Sequence, residues 1–211
     1  DPGHILKVSL FDKKGDQELE TYWSIGKEVL GACSYKQIEE SFLIEETENI
    51  LRNSVRERLL ADVPVGIFLS GGVDSSLICA LAQQESTEAV NTYTVGFEEQ
   101  HLDESKHAKS VADYLGTNHK TFMLTENEAQ KNIPRLGNIF DEPFADPSQL
   151  PFLLLSELAK EDITVALTGD GGDEIFGGYN RHLWASKIHQ INKLVPKTIR
   201  DILSVLLSKI T

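Results

Sequence analysis

Short apolar runs alternate with helical patterns through the middle of the chain. Four runs have the length and composition of buried strands, and they cover Val65–Leu69, Val90–Phe97, His119–Leu124 and Ile163–Leu167. Between the runs, apolar residues recur every three or four positions. This spacing predicts helices at Ser75–Gln84, Glu104–Leu115 and Leu150–Lys160. Single strands that alternate with helices are typical of α/β proteins, so we predict a parallel sheet flanked by helices on both faces.

The two ends of the chain follow other patterns. Apolar and polar residues alternate over Ile5–Phe11, a polar turn follows at residues 13–16, and Glu18–Trp23 returns, which predicts a short N-terminal β-hairpin. Tyr35–Leu60 has helical spacing. So does Lys197–Ile210, whose apolar residues fall on one side of an amphipathic helix.

Glycines interrupt the chain where the first predicted strand gives way to a helix. The sequence there is Ser70-Gly71-Gly72-Val73-Asp74-Ser75-Ser76. Glycine lets the backbone approach a ligand closely, and the free amide groups at a helix start attract anions, so this loop is a candidate phosphate site. It lacks the lysine of the Walker loop. A plain strand-to-helix turn, capped by a serine or by Asp74, is the alternative.

A second loop of the same kind follows the strand Ile163–Leu167. It runs from Thr168 to Glu174 and leads into Phe176-Gly177-Gly178-Tyr179, with three carboxylates and five glycines in eleven residues. Like charges in a tight turn repel and glycine is unfavourable in ordered backbone, so stability does not explain this loop. If both loops end parallel strands, they meet at the carboxyl edge of the sheet. Asp74 and Asp173 would then share a Mg²⁺ ion on a triphosphate.

Together the two loops resemble a known family. Ser70–Ser76 resembles the pyrophosphate loop of the ATP pyrophosphatases, and Phe176–Tyr179 looks like the synthetase domain of the glutamine-hydrolysing asparagine synthetases. The similarity runs from about Pro64 to Tyr179 and includes Tyr93–Phe97, Asp103-Glu104, Leu115–Thr117 and Asp141–Phe144. It implies an adenine-nucleotide-alpha-hydrolase-like fold that uses ATP and Mg²⁺.

The resemblance also implies a reaction and a set of site residues. In the family, ATP adenylates a carboxylate, pyrophosphate leaves, and ammonia derived from glutamine displaces AMP to form an amide; aspartate is the default acid. The implied catalytic residues are Asp74, Ser75 and Asp170, and the implied metal ligands are Asp74 and Asp173. The implied ATP- and pyrophosphate-binding residues are Leu69, Ser70, Gly71, Gly72, Asp74, Ser75, Ser76, Val95, Gly96, Thr168 and Gly169. At Gly96 a side chain would crowd the purine; a glycine that merely ends the strand is the alternative.

Two departures from the family pattern leave the acceptor open. Asp170 stands where many asparagine synthetases carry a glutamate, and Asp146-Pro147 occupies a region where the better-known members carry an arginine suited to a carboxylate. An amidotransferase that acts on another carboxylate, such as a sugar acid, is therefore one alternative. Others are a cyclase that forms a lactam or peptide ring with an internal amine, and a non-catalytic nucleotide-binding module.

The start of the chain suggests its domain organisation. Pro2-Gly3-His4 and Tyr22-Trp23 look like the strands that close the family's glutaminase domain. We expect residues 1–30 to be the hairpin remnant of that domain with a linker. Residues 31–211 would be the ATP pyrophosphatase domain, incomplete at its C-terminus, with the glutaminase domain of a longer chain as partner. A naturally short relative is the alternative, and a homodimer is left open.

Composition narrows the choice of partners. The 211 residues include 33 acidic and 20 basic side chains, a net charge of −13, which argues against nucleic acid as a partner. Cys33 and Cys79 form no Cys-x-x-Cys pair, and we interpret Cys79 as a small buried residue. No membrane span or signal peptide is evident, so we expect a cytoplasmic protein. Outside the two loops, Arg181 is interpreted as a surface salt-bridge residue, and His107 and His119 as structural.

Overall fold

The computed structural model describes residues 2–9, 17–32, 38–99, 103–142 and 145–194. The chain divides into two compact units, residues 1–50 and residues 51–211. The predicted helix at Lys197–Ile210 and the predicted hairpin turn at residues 13–16 lie outside the described residues.

The first unit contains the predicted hairpin. Strands β1 (His4–Val8) and β2 (Gln17–Thr21) pair antiparallel, with His4 opposite Thr21 and Val8 opposite Gln17. A helix that the sequence pattern did not predict, α1 (Ile25–Ala32), follows. Helix α2 (Glu40–Leu59) starts in this unit and confirms most of the helix predicted from Tyr35, although residues 35–37 lie outside the described part.

The second unit alternates strands and helices. Its elements after α2 are β3 (Val65–Phe68), α3 (Val73–Glu85), β4 (Asn91–Phe97), α4 (Ser105–Leu115), β5 (Asn118–Leu124), α5 (Glu126–Ile139), α6 (Gln149–Ala159), β6 (Val165–Leu167), α7 (Gly172–Phe176) and α8 (Asn180–Leu194). The four predicted strands are confirmed to within two residues at each end. The predicted helices near Ser75, Glu104 and Leu150 are confirmed as α3, α4 and α6.

The four strands form one parallel sheet in the order β5-β4-β3-β6. From β3 the chain moves outward through β4 to β5, and it then returns to place β6 on the other side of β3. The connections that leave β3 and enter β6 therefore run in opposite directions across the sheet, and the order of the strands reverses between these two. In open parallel sheets, ligands bind outside the carboxyl ends of the strands at such a point.

Helices cover both faces of the sheet, as the sequence predicted. On one face, Ile67 and Leu69 pack in a core with Val55 of α2, Cys79 of α3 and Ala108 of α4. The other face packs against α6 in a second core that contains Tyr93, Leu155, Ala159 and Ile163. Because parallel strands must be covered on both sides, the sheet is held rigidly and can position the loops at its edge.

Three helices of the second unit were not predicted from the spacing of apolar residues. These are α5, α7 and α8, and most of their side chains are partly or fully exposed. Helix α5 had a start signal, since Thr125 and Glu128 form a capping box in which each side chain bonds the backbone of the other. Within the described residues, no helix has both the length and the apolar content that crossing a bilayer requires.

Candidate functional site

The first glycine-rich loop joins the carboxyl end of β3 to the start of α3. Gly71 has a left-handed backbone (φ +82°), and a Cβ at this position would lie 2.6 Å from the amide nitrogen of Ala108. Both facts require glycine, because L-residues disfavour this conformation and the first turns of α4 leave no room. Gly71 thus presses the loop against α4.

Helix α3 begins without a side-chain cap. Its N-cap residue is Gly72, which has no side chain to bond the amide groups of the first turn. The Gly72 amide itself donates to Ser70 Oγ. Asp74 caps none of these amides in the described residues, so of the capping alternative only the serine contact is found. Free amide groups at the start of a thirteen-residue helix keep their partial positive charge for an anion.

The serines of this loop have unequal roles. Ser75 is buried, and its Oγ lies 2.9 Å from Ser70 Oγ and accepts a hydrogen bond of 3.2 Å from the Ser70 amide. Ser70 Oγ in turn accepts a hydrogen bond of 3.2 Å from the Gly72 amide. Ser75 therefore braces the loop from inside, while Ser70 is exposed. The buried Oγ of Ser76 has no hydrogen-bond partner within the described residues.

The second glycine-rich loop, after β6, lies in contact with the first. A Cβ at Gly169 would lie 2.7 Å from the Ser75 amide nitrogen and 3.1 Å from the Asp74 carbonyl carbon. The backbone of this loop therefore touches the first turn of α3 directly. The predicted convergence of the two loops at the carboxyl edge of the sheet is confirmed.

A cavity of about 590 Å³ opens between the loops, and we call it the polar cavity because three acids and two serines line it. The acids are the two predicted metal ligands, Asp74 and Asp173, together with Asp170. Five of the eleven predicted ATP- and pyrophosphate-binding residues line it, namely Ser70, Gly72, Asp74, Ser75 and Gly169. Within the described part of the chain, the carboxylates of Asp74 and Asp173 have no hydrogen bond or ion pair. Asp170 accepts a hydrogen bond of 2.9 Å from Thr168 Oγ1.

A second, mostly apolar cavity of about 340 Å³ adjoins the first. Ser70, Gly169 and Asp170 line both cavities, so the two lie side by side. Four of the residues predicted around the nucleoside line the apolar cavity: Leu69, Val95, Thr168 and Gly169. One end is apolar and the other polar, which suits a ligand with a flat base and a charged tail.

Three aromatic residues of the apolar cavity were not predicted as site residues: Phe68, Phe97 and Phe152. Phe68 and Phe152 meet edge to face with ring centroids 5.5 Å apart. Phe97 ends β4, and residues at the carboxyl ends of parallel strands are the places to search for ligand contacts. The position of Phe97 at the end of a predicted strand was therefore enough to identify it as a candidate. Phe152 lies in α6, and no sequence feature marked it as a site residue.

Gly96 has a packing role in the fold. Gly96 lines neither cavity, and a Cβ there would lie 2.7 Å from Met123 Sδ, 2.9 Å from Ser105 Oγ and 3.0 Å from Asp103 Oδ1. Successive residues of a strand face opposite sides of the sheet, so Val95 points to the apolar cavity and Gly96 to the start of α4. Glycine is therefore needed at 96 for packing against β5 and the start of α4, and its place beside a nucleoside stays a prediction.

The donor atoms of the polar cavity fit a magnesium ion. Carboxylate oxygens are hard ligands, and Mg²⁺ is usually held by one or two carboxylates together with water and phosphate oxygens. Asp74 and Asp173 supply two such groups from facing loops. No cluster of three or more metal-binding side chains occurs in the ranges that the structure describes, so phosphate and water would complete the coordination.

Residues outside the cavities have structural contacts. Burial raises the pKa of the Cys79 thiol to about 11, which fits its interpretation as a core residue. Asp103 Oδ1 accepts a hydrogen bond of 3.1 Å from the Ser105 amide at the start of α4. The predicted ion pair of Arg181 is not found within the described residues; its guanidinium carbon lies 4.0 Å from the centre of the Tyr179 ring.

Known proteins resemble this chain over most of its length. The asparagine synthase family model matches residues 46–209. A putative glutamine-hydrolysing asparagine synthetase of Methanocaldococcus jannaschii is 41% identical over 168 residues, which cover 79% of this chain and 32% of the relative. A glutamine-hydrolysing asparagine synthetase of Bacillus subtilis is 41% identical over 144 residues, which cover 68% of this chain and 23% of the relative. The chain thus spans about a third or less of the curated relatives that it matches.

Among solved structures, similarity is found to ammonia-dependent NAD synthetase of Campylobacter jejuni, with a TM-score of 0.46 and 15% identity over 64% of this chain and 60% of that chain. NMN synthetase of Francisella tularensis also has a TM-score of 0.46, with 18% identity over 64% of this chain and 58% of that chain.

Proposed function

Because the chain belongs to the asparagine synthase family, we propose that it is the ATP-binding and carboxylate-activating part of an enzyme that forms an amide. The observation that carries the proposal is the pair of glycine-rich loops that meet around one polar cavity, which shares three lining residues with an apolar one. Membership of the family supports the general reaction, an ATP-dependent amidation. The orientation of ATP and the identity of the substrates are further parts of the proposal.

The shape of the two cavities supports one orientation of ATP. The adenosine would occupy the apolar cavity beside Val95 and Phe97, and the triphosphate would follow Ser70 into the polar cavity. There the amide groups at the start of α3 face the phosphates, and the exposed Ser70 hydroxyl would exchange its bonds within the loop for bonds to them. A Mg²⁺ ion held by Asp74 and Asp173 would offset the repulsion between these acids and the phosphates.

The proposed reaction has two steps. An oxygen of the substrate carboxylate attacks the α-phosphorus, the bond from that phosphorus to the bridging oxygen breaks, and pyrophosphate leaves with the bonding electrons. Ammonia then attacks the acyl carbon, AMP leaves, and the nitrogen loses a proton. In the first step the amide groups of α3 stabilise the charge that develops on pyrophosphate.

Asp170 is the residue we propose beside the reacting carboxyl group. It lines both cavities, so it lies where the nucleoside and phosphate ends of ATP meet. The hydrogen bond from Thr168 Oγ1 fixes the direction of its carboxylate. A fixed carboxylate at this point is suited to orient ammonia or to accept its proton.

The names of the relatives support aspartate as the acid, with ammonia from glutamine and a glutaminase domain as partner. In this proposal, residues 1–30 are a remnant of that domain with a linker, and residues 31–211 belong to the pyrophosphatase domain. Another acid stays an alternative. Arg135, the arginine nearest before the 141–151 segment, lines neither cavity and pairs with Glu157 through Nη1 and Nη2, so we do not assign it to the substrate carboxylate.

The test is product analysis with the full-length protein that carries this sequence. With ATP, Mg²⁺, aspartate and ammonia we expect AMP, pyrophosphate and asparagine in equal amounts, and no AMP when the acid is left out. Formation of ADP and phosphate would contradict adenylation. Pyrophosphate release that needs another acid would identify a different acceptor, and release without ammonia would indicate a cyclase. ATP binding without any turnover would indicate a non-catalytic module.

A further inference from the structure

Each predicted metal ligand lies against a glycine of the second loop. If Gly172 carried a Cβ, that atom would overlap Asp74 Oδ2 and lie 2.5 Å from Asp74 Cγ. If Gly178 carried one, it would overlap Asp173 Oδ1 and lie 2.9 Å from Asp173 Cγ. In both cases a carboxylate occupies the space that the missing side chain would need, and at position 172 the Asp74 Cβ also lies close, at 3.1 Å.

Backbone conformation does not explain these two glycines. Among the described residues, glycines with positive φ are Gly3, Gly71, Gly116, Gly171 and Gly177, and neither Gly172 nor Gly178 is one of them. An alanine therefore fits the backbone at 172 and 178. What it does not fit is the position of the neighbouring acid.

The kind of atom that meets the added Cβ decides the consequence. At Gly169 the nearest atoms are backbone atoms of Ser75 and Asp74, so a side chain there would force two chain segments apart. At Gly178 the nearest atoms are the carboxylate end of a side chain, with the Asp173 Cα further away at 3.4 Å. Rotation about the side-chain bonds of Asp173 relieves the contact and leaves the fold in place.

We propose that Gly172 and Gly178 are positioning residues for the metal site, which hold the carboxylates of Asp74 and Asp173 in their ligating directions by leaving room for them. This inference rests on the proposed function, since it takes the two acids as Mg²⁺ ligands. It assigns a purpose to the Gly-Gly pair before Tyr179. Gly177 ends α7 in a left-handed conformation (φ +77°), whereas Gly178 gives the acid at the start of that helix its space.

The test measures metal binding directly. Mn²⁺, a magnetic substitute for Mg²⁺, is titrated into the full-length protein with a non-hydrolysable ATP analogue, and free Mn²⁺ is read by electron paramagnetic resonance. We expect Gly172→Ala and Gly178→Ala to weaken Mn²⁺ binding about tenfold or more, the size usual for residues that orient metal ligands. Gly137→Ala is the matched control, because its Cβ would meet no atom within 4 Å.

The outcomes separate the inference from the function on which it depends. If Asp173→Asn weakens Mn²⁺ binding and Gly178→Ala and Gly172→Ala do not, the glycines have no positioning role, while the proposed metal site stands. If Asp74→Asn and Asp173→Asn leave Mn²⁺ binding unchanged, the metal site is wrong and the inference falls with it.

A stability measurement covers the case in which Gly178→Ala folds poorly. The collision is with the Asp173 carboxylate, so any loss of melting temperature from Gly178→Ala should largely disappear when Asp173 is also changed to Ala. A loss that stays the same in the Asp173→Ala background would place the collision elsewhere and overturn the inference.

Discussion

Acidic side chains at the two edges of the sheet differ in whether they have partners within the fold. At the amino edge, the Tyr93 hydroxyl donates to Asp162 Oδ2 at 3.2 Å, and Lys120 Nζ lies 2.5 Å from the same oxygen. At the carboxyl edge, the Asp74 and Asp173 carboxylates line a cavity with no ion pair or hydrogen bond within the described residues.

A second network strengthens the contrast. Thr92, which is fully buried near the amino edge, bonds both Thr117 Oγ1 and His119 Nδ1 at 2.9 Å. Buried polar groups that satisfy one another contribute to stability. Acids that face a cavity without partners are available to a ligand instead. Pairing within the fold thus distinguishes Asp162 at the amino edge from Asp74 and Asp173 at the carboxyl edge, where Asp170 and Ser70 do have partners within the loops.

The largest expected effect comes from Asp173→Asn at the carboxyl edge. Loss of one carboxylate removes part of the charge that holds Mg²⁺, and we expect ATP-dependent turnover to fall about 100-fold or more, since a bound metal supplies several kcal/mol to such reactions. Melting temperature should stay the same, because the carboxylate has no partner in the described fold. Turnover and thermal melting check this, with the surface change Asp113→Asn as control. A large fall in melting temperature would make Asp173 structural.

Gly169→Ala should lower both stability and ATP affinity, so that one residue of the carboxyl edge serves structure and binding at once. The added Cβ meets backbone atoms of α3, so we expect the free energy of unfolding to fall by about 1–3 kcal/mol, typical of overpacking. ATP affinity should fall as well, because the two loops move apart. Urea unfolding and calorimetric ATP titration check this, with Gly137→Ala as control. Unchanged stability would mean that the loops separate without strain.

Tyr93→Phe should affect the amino edge alone. Loss of one hydrogen bond to Asp162 should lower the free energy of unfolding by about 1 kcal/mol, with ATP affinity unchanged. The matched control is Tyr114→Phe, because Tyr114 is 89% exposed. Urea unfolding gives the stability and the same ATP titration gives the affinity. A change in ATP affinity would show that the two edges are coupled.

The smallest expected effect is a pH dependence of stability at the amino edge. Burial and then Lys109 lower the pKa of His119 from 6.5, so the folded protein favours the neutral imidazole. The stability that neutral His119 contributes is fully present above its pKa in the unfolded chain. It is lost as the pH falls towards its pKa in the folded protein, because the unfolded chain takes up the proton first. Unfolding at about pH 7.5 and about pH 5.5 should therefore differ more for the wild type than for His119→Gln. Equal differences would exclude His119 as the cause.

Sequence patterns predicted the sheet well because its strands are buried. Runs such as Val65–Leu69 have few polar residues and differ sharply from their surroundings. Helices α7 and α8 were missed because side chains such as Ile175, Leu183 and Trp184 are exposed, so no apolar face is buried to give a periodic signal. Helix α5 was missed despite its capping box, and it contains Pro134, a residue that normally ends helices.

For the site, sequence predicted which loops meet but not why each residue is there. Glycine composition and strand ends placed Asp74, Asp173 and Gly169 around one cavity. The space required at a glycine depends on atoms remote in sequence, such as Met123 and Ser105 around Gly96. The internal bonding of Ser75 has the same origin. Such pairwise distances exist only in the folded chain, so sequence patterns do not contain them.

The strand order has a consequence for synthesis of the chain. Residues 70–76 leave the ribosome roughly a hundred residues before the second loop. Strand β6 must then pair with the open edge of β3, long after β4 has been made. A nascent chain that ends before Val165 contains the first glycine-rich loop and lacks both β6 and the second loop. Nucleotide capture by stalled chains of increasing length would therefore report the moment at which this late strand arrives.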